Sequence, residues 1–173
     1  VIAPIGAILA GGASRRFGSD KALAEMRGMP MIDHAARALS RHVDRVVVIG
    51  RDHPGLAGAP DRPQPGLGPL GGIAGALSYA HDLGEPSVLT VACDVPFPPD
   101  SLFEALRRPP CWCEDHPVFG HWPVSLMLEL DAWLEKQADR SVRGFARATG
   151  TIPVRVADPI TDVDTPEDLD RIA

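Results

Sequence analysis

Apolar positions along this chain follow two rhythms. Residues 5–10, 45–50 and 87–93 are short, almost unbroken apolar runs, the mark of strands covered on both faces. Between them the spacing lengthens to that of helices. Residues 31–41 place Ile32, Ala35, Ala36 and Leu39 on one side, with Pro30 at a favourable start position. Residues 69–80 read as a helix of small side chains, and 99–108, 131–138, 142–149 and 165–172 as further helices. Thr165, Pro166 and Asp168 form a good N-cap arrangement for the last of them. Residues 111–114, 122–128 and 152–156 read as later strands, and 52–72, rich in Gly and Pro, as the longest irregular stretch. The alternation predicts an α/β fold: one Rossmann-like, doubly wound domain over residues 1–173 with a mostly parallel sheet.

Composition narrows the function classes. Of 173 residues only 5% are aromatic, so Ala, Val, Leu and Ile must fill most of the core. A net charge of −6 speaks against a nucleic-acid partner but is compatible with a small anion in a local basic pocket. No run of eighteen apolar residues exists, so no membrane span is expected. Cys93, Cys111 and Cys113 are odd in number and contain no C-x-x-C pair, which fits a reducing, cytoplasmic setting.

Five stretches could carry chemistry. The first apolar run ends in Gly11 and Gly12, followed by Arg15, Arg16 and Lys21. Ligands of open α/β sheets sit beyond the carboxyl ends of the strands. Glycines there let backbone N–H groups approach a phosphate, with Arg15 as a fork and Lys21 as a point charge. Neither the P-loop nor the G-x-G-x-x-G pattern is present. The second stretch, GLGPLGGIAGAL, has five glycines between Gly66 and Gly75 and runs into a helix. Helix packing accounts for Gly75 and Ala76 but less well for Gly68, Gly71 and Gly72, so ligand contact is expected at the helix N-terminus, over Gly68, Pro69, Leu70 and Gly71. In the third, CDVPF, Asp94 closes a strand where a carboxylate beside phosphates is a natural Mg²⁺ ligand. In the fourth, TDVDTPEDL, Asp162 and Asp164 stand two apart; they share a metal, or Asp164 opens the last helix. In the fifth, CWCEDHP, the two thiols alternate with Trp112 as on a buried strand, and a second ligand pair for structural zinc is missing. His116 there is a candidate lining residue for a substrate groove. The remaining histidines, 34, 42, 53, 81 and 121, read as surface or helix-end residues.

Taken in order, LAGGASRRFGSDKAL resembles the signature of small nucleotidyltransferases. With GPLGGIAGAL, CDVPF, EDHPV and DVDTPEDL, nearly the whole chain resembles the molybdenum cofactor guanylyltransferases. The resemblance implies a Mg²⁺-dependent enzyme that transfers GMP from GTP to the terminal phosphate of molybdopterin and releases pyrophosphate. It implies nucleotide contacts at Leu9, Ala10 and Gly11, with Gly12 shaping the turn. Lys21 would sit on the phosphates, Asp61 on the guanine or ribose side, and Asp94 on Mg²⁺, with Asp164 a further candidate. It implies molybdopterin near His116, Pro117, Asp162 and Asp164, the last two standing where the family pattern has asparagines. A labile product implies handover to a molybdoenzyme chaperone or another cofactor-biosynthesis protein. Two alternatives stay open on the residues alone: a nucleotidyltransferase using CTP or a sugar 1-phosphate, and a binding module that holds GTP or molybdopterin without catalysis. Retention of Arg15, Lys21 and Asp94 together speaks for catalysis.

Overall fold

A computed structural model describes residues 3–12, 20–136 and 139–172 of the chain. Its main sheet has seven strands: β1 (Ile5–Leu9), β4 (Arg45–Ile49), β5 (Ala57–Ala59), β6 (Ser87–Ala92), β7 (Cys111–Cys113), β8 (Gly120–Pro123) and β9 (Ile152–Val154). They lie in the order β5-β4-β1-β6-β8-β7-β9. β1 is flanked in parallel by β4 and β6, β5 continues in parallel beyond β4, and β9 pairs in parallel with β7. Only β8 runs against its neighbours β6 and β7. The sheet is thus mostly parallel, as the unbroken apolar runs predict.

Helices cover both faces. One carries α2 (Pro69–Asp82), α4 (Met127–Lys136) and α5 (Val142–Ala148), packed on Ile5, Ala7, Val47, Ile49, Trp112 and Trp122. The other carries α1 (Met31–Leu39) and α3 (Asp100–Ala105), packed on Ile8, Val48, Leu89, Val91, Cys111 and Cys113. Side chains alternate along a strand, so Trp112 enters one core and its flanking cysteines the other. All three are buried, and no cluster of three potential metal-ligating side chains occurs among the described residues.

Several sequence expectations need correction. The run 122–128 is a strand only through Pro123. That residue, paired with Ser87, has no N–H to extend the ladder. The chain then makes a 3-10 turn, Val124–Leu126, and enters α4, four residues earlier than the periodicity suggests. Val124, Leu126 and Met127 still reach the core, because a short apolar run suits a buried helix as well as a strand. The irregular stretch 52–72 contains β5, whose sequence AGA has no strand signature of its own. Between β1 and α1 lie a 3-10 turn, Lys21–Leu23, and a two-stranded hairpin, β2 (Glu25–Met26) and β3 (Met29–Pro30). Arg27 (φ 52) and Gly28 (φ 74) form its tip. The last helix, α6 (Pro166–Ile172), starts as expected. Asp168 accepts from the N–H and the hydroxyl of Thr165, both at 2.9 Å.

Two histidines are not surface residues. His121 is buried between the Ser87 hydroxyl (2.9 Å) and the Leu106 carbonyl (2.8 Å). Burial lowers its pKa, so it stays neutral at physiological pH. The His53 side chain is 6% exposed and bonds Asp33 Oδ1 at 2.7 Å, tying the segment after β4 to α1.

Candidate active site

The carboxyl ends of β1, β4 and β6 converge on one edge, and three loops meet there. Ala10 N–H still bonds the Ile49 carbonyl at 2.9 Å, so the β1–β4 ladder runs one residue past the strand. Ala10 is buried, whereas Gly11 and Gly12 are exposed. Gly50 crosses directly over Gly11. It has φ +89°, and a β-carbon on it would stand 2.5 Å from Gly11 Cα. Only glycine satisfies both the dihedral and the approach.

Asp61, in the loop leaving β5, leans onto this crossing. A β-carbon on Gly11 would lie 2.5 Å from Asp61 Oδ2, and one on Gly72 would lie 3.6 Å from Oδ1. No hydrogen-bond donor to this carboxylate is found among the described residues, and burial raises its pKa. A partly buried carboxylate beside bare backbone, with no donor among the described residues, has acceptor capacity to offer a ligand.

The other half of the edge is dominated by charge. Lys21 Nζ lies 2.7 Å from Asp164 Oδ1 and 3.2 Å from Asp94 Oδ2. The Lys21 side chain is 13% exposed, Asp94 32% and Asp164 57%. Burial works against the lysine charge, but hydrogen bonds to Asp164 and Asp94 outweigh it and raise its pKa. The Lys21 hydrogen bond holds Asp164 below the usual carboxylate range. Val163 N–H bonds the Asp94 carbonyl at 2.9 Å, and the buried Val163 side chain fixes that segment. The Lys21–Asp164 pair joins residues 143 positions apart. Cys93, next to Asp94, is pushed up to about 12, first by burial and then by the Asp94 charge, so its thiol stays protonated.

The remaining sequence-predicted residues fall as follows. Leu9 is half-buried and packs against Gly72. Gly68 (φ +71°) and Pro69 open α2 and are exposed. The Leu70 side chain is fully buried, so only its backbone can face a ligand. Gly71 is buried against Leu67 and the Arg62 carbonyl, so the α2 glycines serve close packing more than their spacing suggests. Arg15 and Arg16 lie outside the described residues. His116 and Pro117 sit in the turn after β7, with His116 edge-on to Phe119 at 6.2 Å between ring centroids. β7 points the same way as β6 two strands over, which sets that turn roughly 10 Å along the same edge. Asp162 is exposed and precedes the segment that bonds Asp94.

Sequence reasoning passed over Arg51 and Asp20. Arg51 Nη1 and Nη2 donate to the two carboxylate oxygens of Asp20 at 2.6 and 2.5 Å. The available signal was position: an arginine directly after the glycine that ends β4 at the ligand edge.

Hard oxygens from Asp94 and Asp164 converge on one cationic atom, the Lys21 ammonium. One or two carboxylates completed by substrate phosphates is the arrangement Mg²⁺ favours, so these residues fit it.

The MobA-like NTP transferase domain family matches residues 6–151. A molybdenum cofactor guanylyltransferase of Rhodobacter capsulatus is 34% identical over 96% of this chain and 93% of its own length. One of Rhizobium leguminosarum bv. trifolii is 36% identical over 95% of this chain and 88% of its own. Among solved structures, a molybdopterin-guanine dinucleotide biosynthesis protein A from Archaeoglobus fulgidus superimposes with a TM-score of 0.72 at 22% identity. That match covers 96% of this chain and 95% of the other and speaks to the fold.

Proposed function

This chain belongs to the molybdenum cofactor guanylyltransferases, within the MobA-like NTP transferase family, and from that premise we propose how its own residues transfer GMP from GTP to the terminal phosphate of molybdopterin. The observation that carries the reading is the division of one sheet edge into two parts. An acceptor with no donor among the described residues, Asp61, faces bare glycine backbone, and a cationic centre, Lys21, stands between Asp94 and Asp164.

Guanine presents N1–H and an exocyclic amino group on one edge, and a carboxylate can accept from both. Adenine and cytosine present a ring acceptor there, which the carboxylate repels. Asp61 is therefore the base selector of this reading, with Leu9, Ala10, Gly11 and the α2 start at Gly68–Gly71 as backbone walls. Lys21 turns from its carboxylates toward the phosphates, where its charge stabilises the crowded α-phosphate. Arg15 adds a second cation. Asp94, helped by Asp164, would hold Mg²⁺, which when bound neutralises charge across the phosphates. The attacking group is a phosphate monoester, already anionic at neutral pH, so no general base is needed and catalysis is positioning plus charge. The pterin lies toward His116, Pro117, Asp162 and Asp164.

The reading further takes residues 1–173 as a single nucleotidyltransferase domain in the cytoplasm, supported by three free thiols. No described helix is long and apolar enough to cross a membrane. It adds delivery of the product to a molybdoenzyme chaperone or another cofactor-biosynthesis protein, which the product's lability favours.

Pyrophosphate release from GTP, CTP and ATP with Mg²⁺, with and without molybdopterin, tests the reading. Release that requires GTP and molybdopterin together is expected. Release with CTP would overturn the role of Asp61 and keep the mechanism. No release with any nucleotide would leave a binding module.

A further inference from the structure

We propose that Arg51 is a positioning residue for Lys21, acting through Asp20; only the kinetic part of its test rests on the guanylyl-transfer reading. Asp20 occupies the N-cap position of the turn Lys21–Leu23, and aspartate there ordinarily accepts a backbone N–H of that turn. Here the Arg51 bond is the larger influence lowering the Asp20 pKa; the Ala22 N–H also helps lower it but is too poorly placed to close a cap hydrogen bond. Both oxygens go to the guanidinium of Arg51 in a fork-on-fork pair, across 31 positions of sequence.

The arrangement is costly. Arg51 Nε is buried with no hydrogen-bond partner among the described residues, and an unmet buried donor opposes folding. The pair is partly exposed, with side chains 22% and 44% accessible, so its return in stability is small. What it does secure is geometry. Arg51 follows Gly50, whose backbone packs closely over Gly11, so the guanidinium projects from a constrained point of the edge. It grips the residue directly before Lys21. The lysine is therefore held from both sides: its chain through Asp20 and its ammonium through Asp94 and Asp164. A lysine that must reach phosphate repeatedly needs such a fixed base, since its four-carbon stem is otherwise free.

The chain has two lysines, Lys21 and the exposed Lys136, so one serves as internal reference for the other. Intact protein is acylated with limiting acetic anhydride, and both sites are quantified by peptide mass spectrometry. Arg51→Ala and Asp20→Ala should each raise the Lys21 rate relative to Lys136 by up to about fivefold, the scale of one surface pair. Arg51→Lys, which reaches one oxygen at a time, should fall between them and the wild type. An unchanged ratio in both alanine variants would overturn the proposal. In the transfer assay, Arg51→Ala should lower kcat roughly 10- to 100-fold with the molybdopterin KM unmoved. The double variant should be no slower than the worse single one. A purely additive double variant, or a loss confined to melting temperature, would overturn it as well. Should wild-type protein release no pyrophosphate while the acylation ratios shift as stated, the guanylyl-transfer reading falls and the positioning role stands.

Discussion

The two halves of the ligand edge are built on opposite principles. Around Lys21 the charges of the described residues are paired: an ammonium between two carboxylates, and an aspartate gripped by an arginine. Around Asp61, a carboxylate stands partly desolvated over glycine backbone without a donor among the described residues. In the proposed reading the first half changes partners on binding: a phosphate substitutes for a carboxylate and a divalent cation for an ammonium. The second has no protein donor to release among the described residues, so a ligand's donors would add to what it already has. In the proposed reading, catalysis belongs to the half that swaps partners and selection to the half that lacks them.

This contrast can be broken. The largest effect is expected at Asp94. Asp94→Ala should cut pyrophosphate release by about 10³-fold while leaving the melting temperature within a few degrees, since removal of a group that serves charge stabilisation costs on that scale. Near-normal turnover would show that the charged half is structural.

Next comes Asp61→Asn, which exchanges one acceptor oxygen for a donor. We expect kcat/KM for GTP to fall roughly 30- to 100-fold, the loss of one or two charge-assisted hydrogen bonds. Because burial raises the pKa of Asp61, its ionised form is disfavoured in the fold, and that cost grows as pH rises above the ordinary carboxylate range. The same variant should therefore be as stable as the wild type or slightly more so at neutral pH, by thermal melting. A less stable variant would mean that Asp61 already has a structural partner.

Gly50→Ala probes the hinge between the halves. A β-carbon meets Gly11 at 2.5 Å with φ at +89°, so stability should drop by about 2 kcal/mol or more in denaturant titration. GTP binding should weaken with it. Loss of stability without loss of binding would separate the crossing from the site.

The smallest effect is acid sensitivity of the charged half. Asp164 and Asp20 have lowered pKa values, each first through a hydrogen bond, from Lys21 and Arg51 respectively. Their contribution is complete above the ordinary carboxylate pKa and is lost as pH falls through the lower, folded values. Stability measured from pH 5 downward should decline less steeply in Asp164→Asn than in the wild type. Identical slopes would mean that the Lys21–Asp164 pair contributes nothing measurable to folding.

Much of this was legible before any coordinates. The apolar runs gave β1, β4 and β6, because a parallel strand buried on both faces has no polar positions to hide. Gly11, Lys21 and Asp94 could be singled out because each ends, or follows closely, such a run. What stayed hidden depended on contacts distant in sequence. β5 is a strand only because the edge of β4 accepts it, and the apolar stretch after Trp122 turns helical because Pro123 halts the ladder. His121 reads as a surface residue until Ser87 and the Leu106 carbonyl enclose it.

The chain by itself determined the class of fold, the edge where chemistry collects and the kinds of charge gathered there. Those follow from periodicity and from the few residue types that handle phosphate. Tertiary structure alone decided which of those charges meet. The 143-residue reach from Lys21 to Asp164, the 31-residue reach from Arg51 to Asp20, and the passage of Gly50 over Gly11 are products of strand order. Hydrogen bonds and ion pairs act over a few ångströms in space, and distance along the chain carries no trace of them.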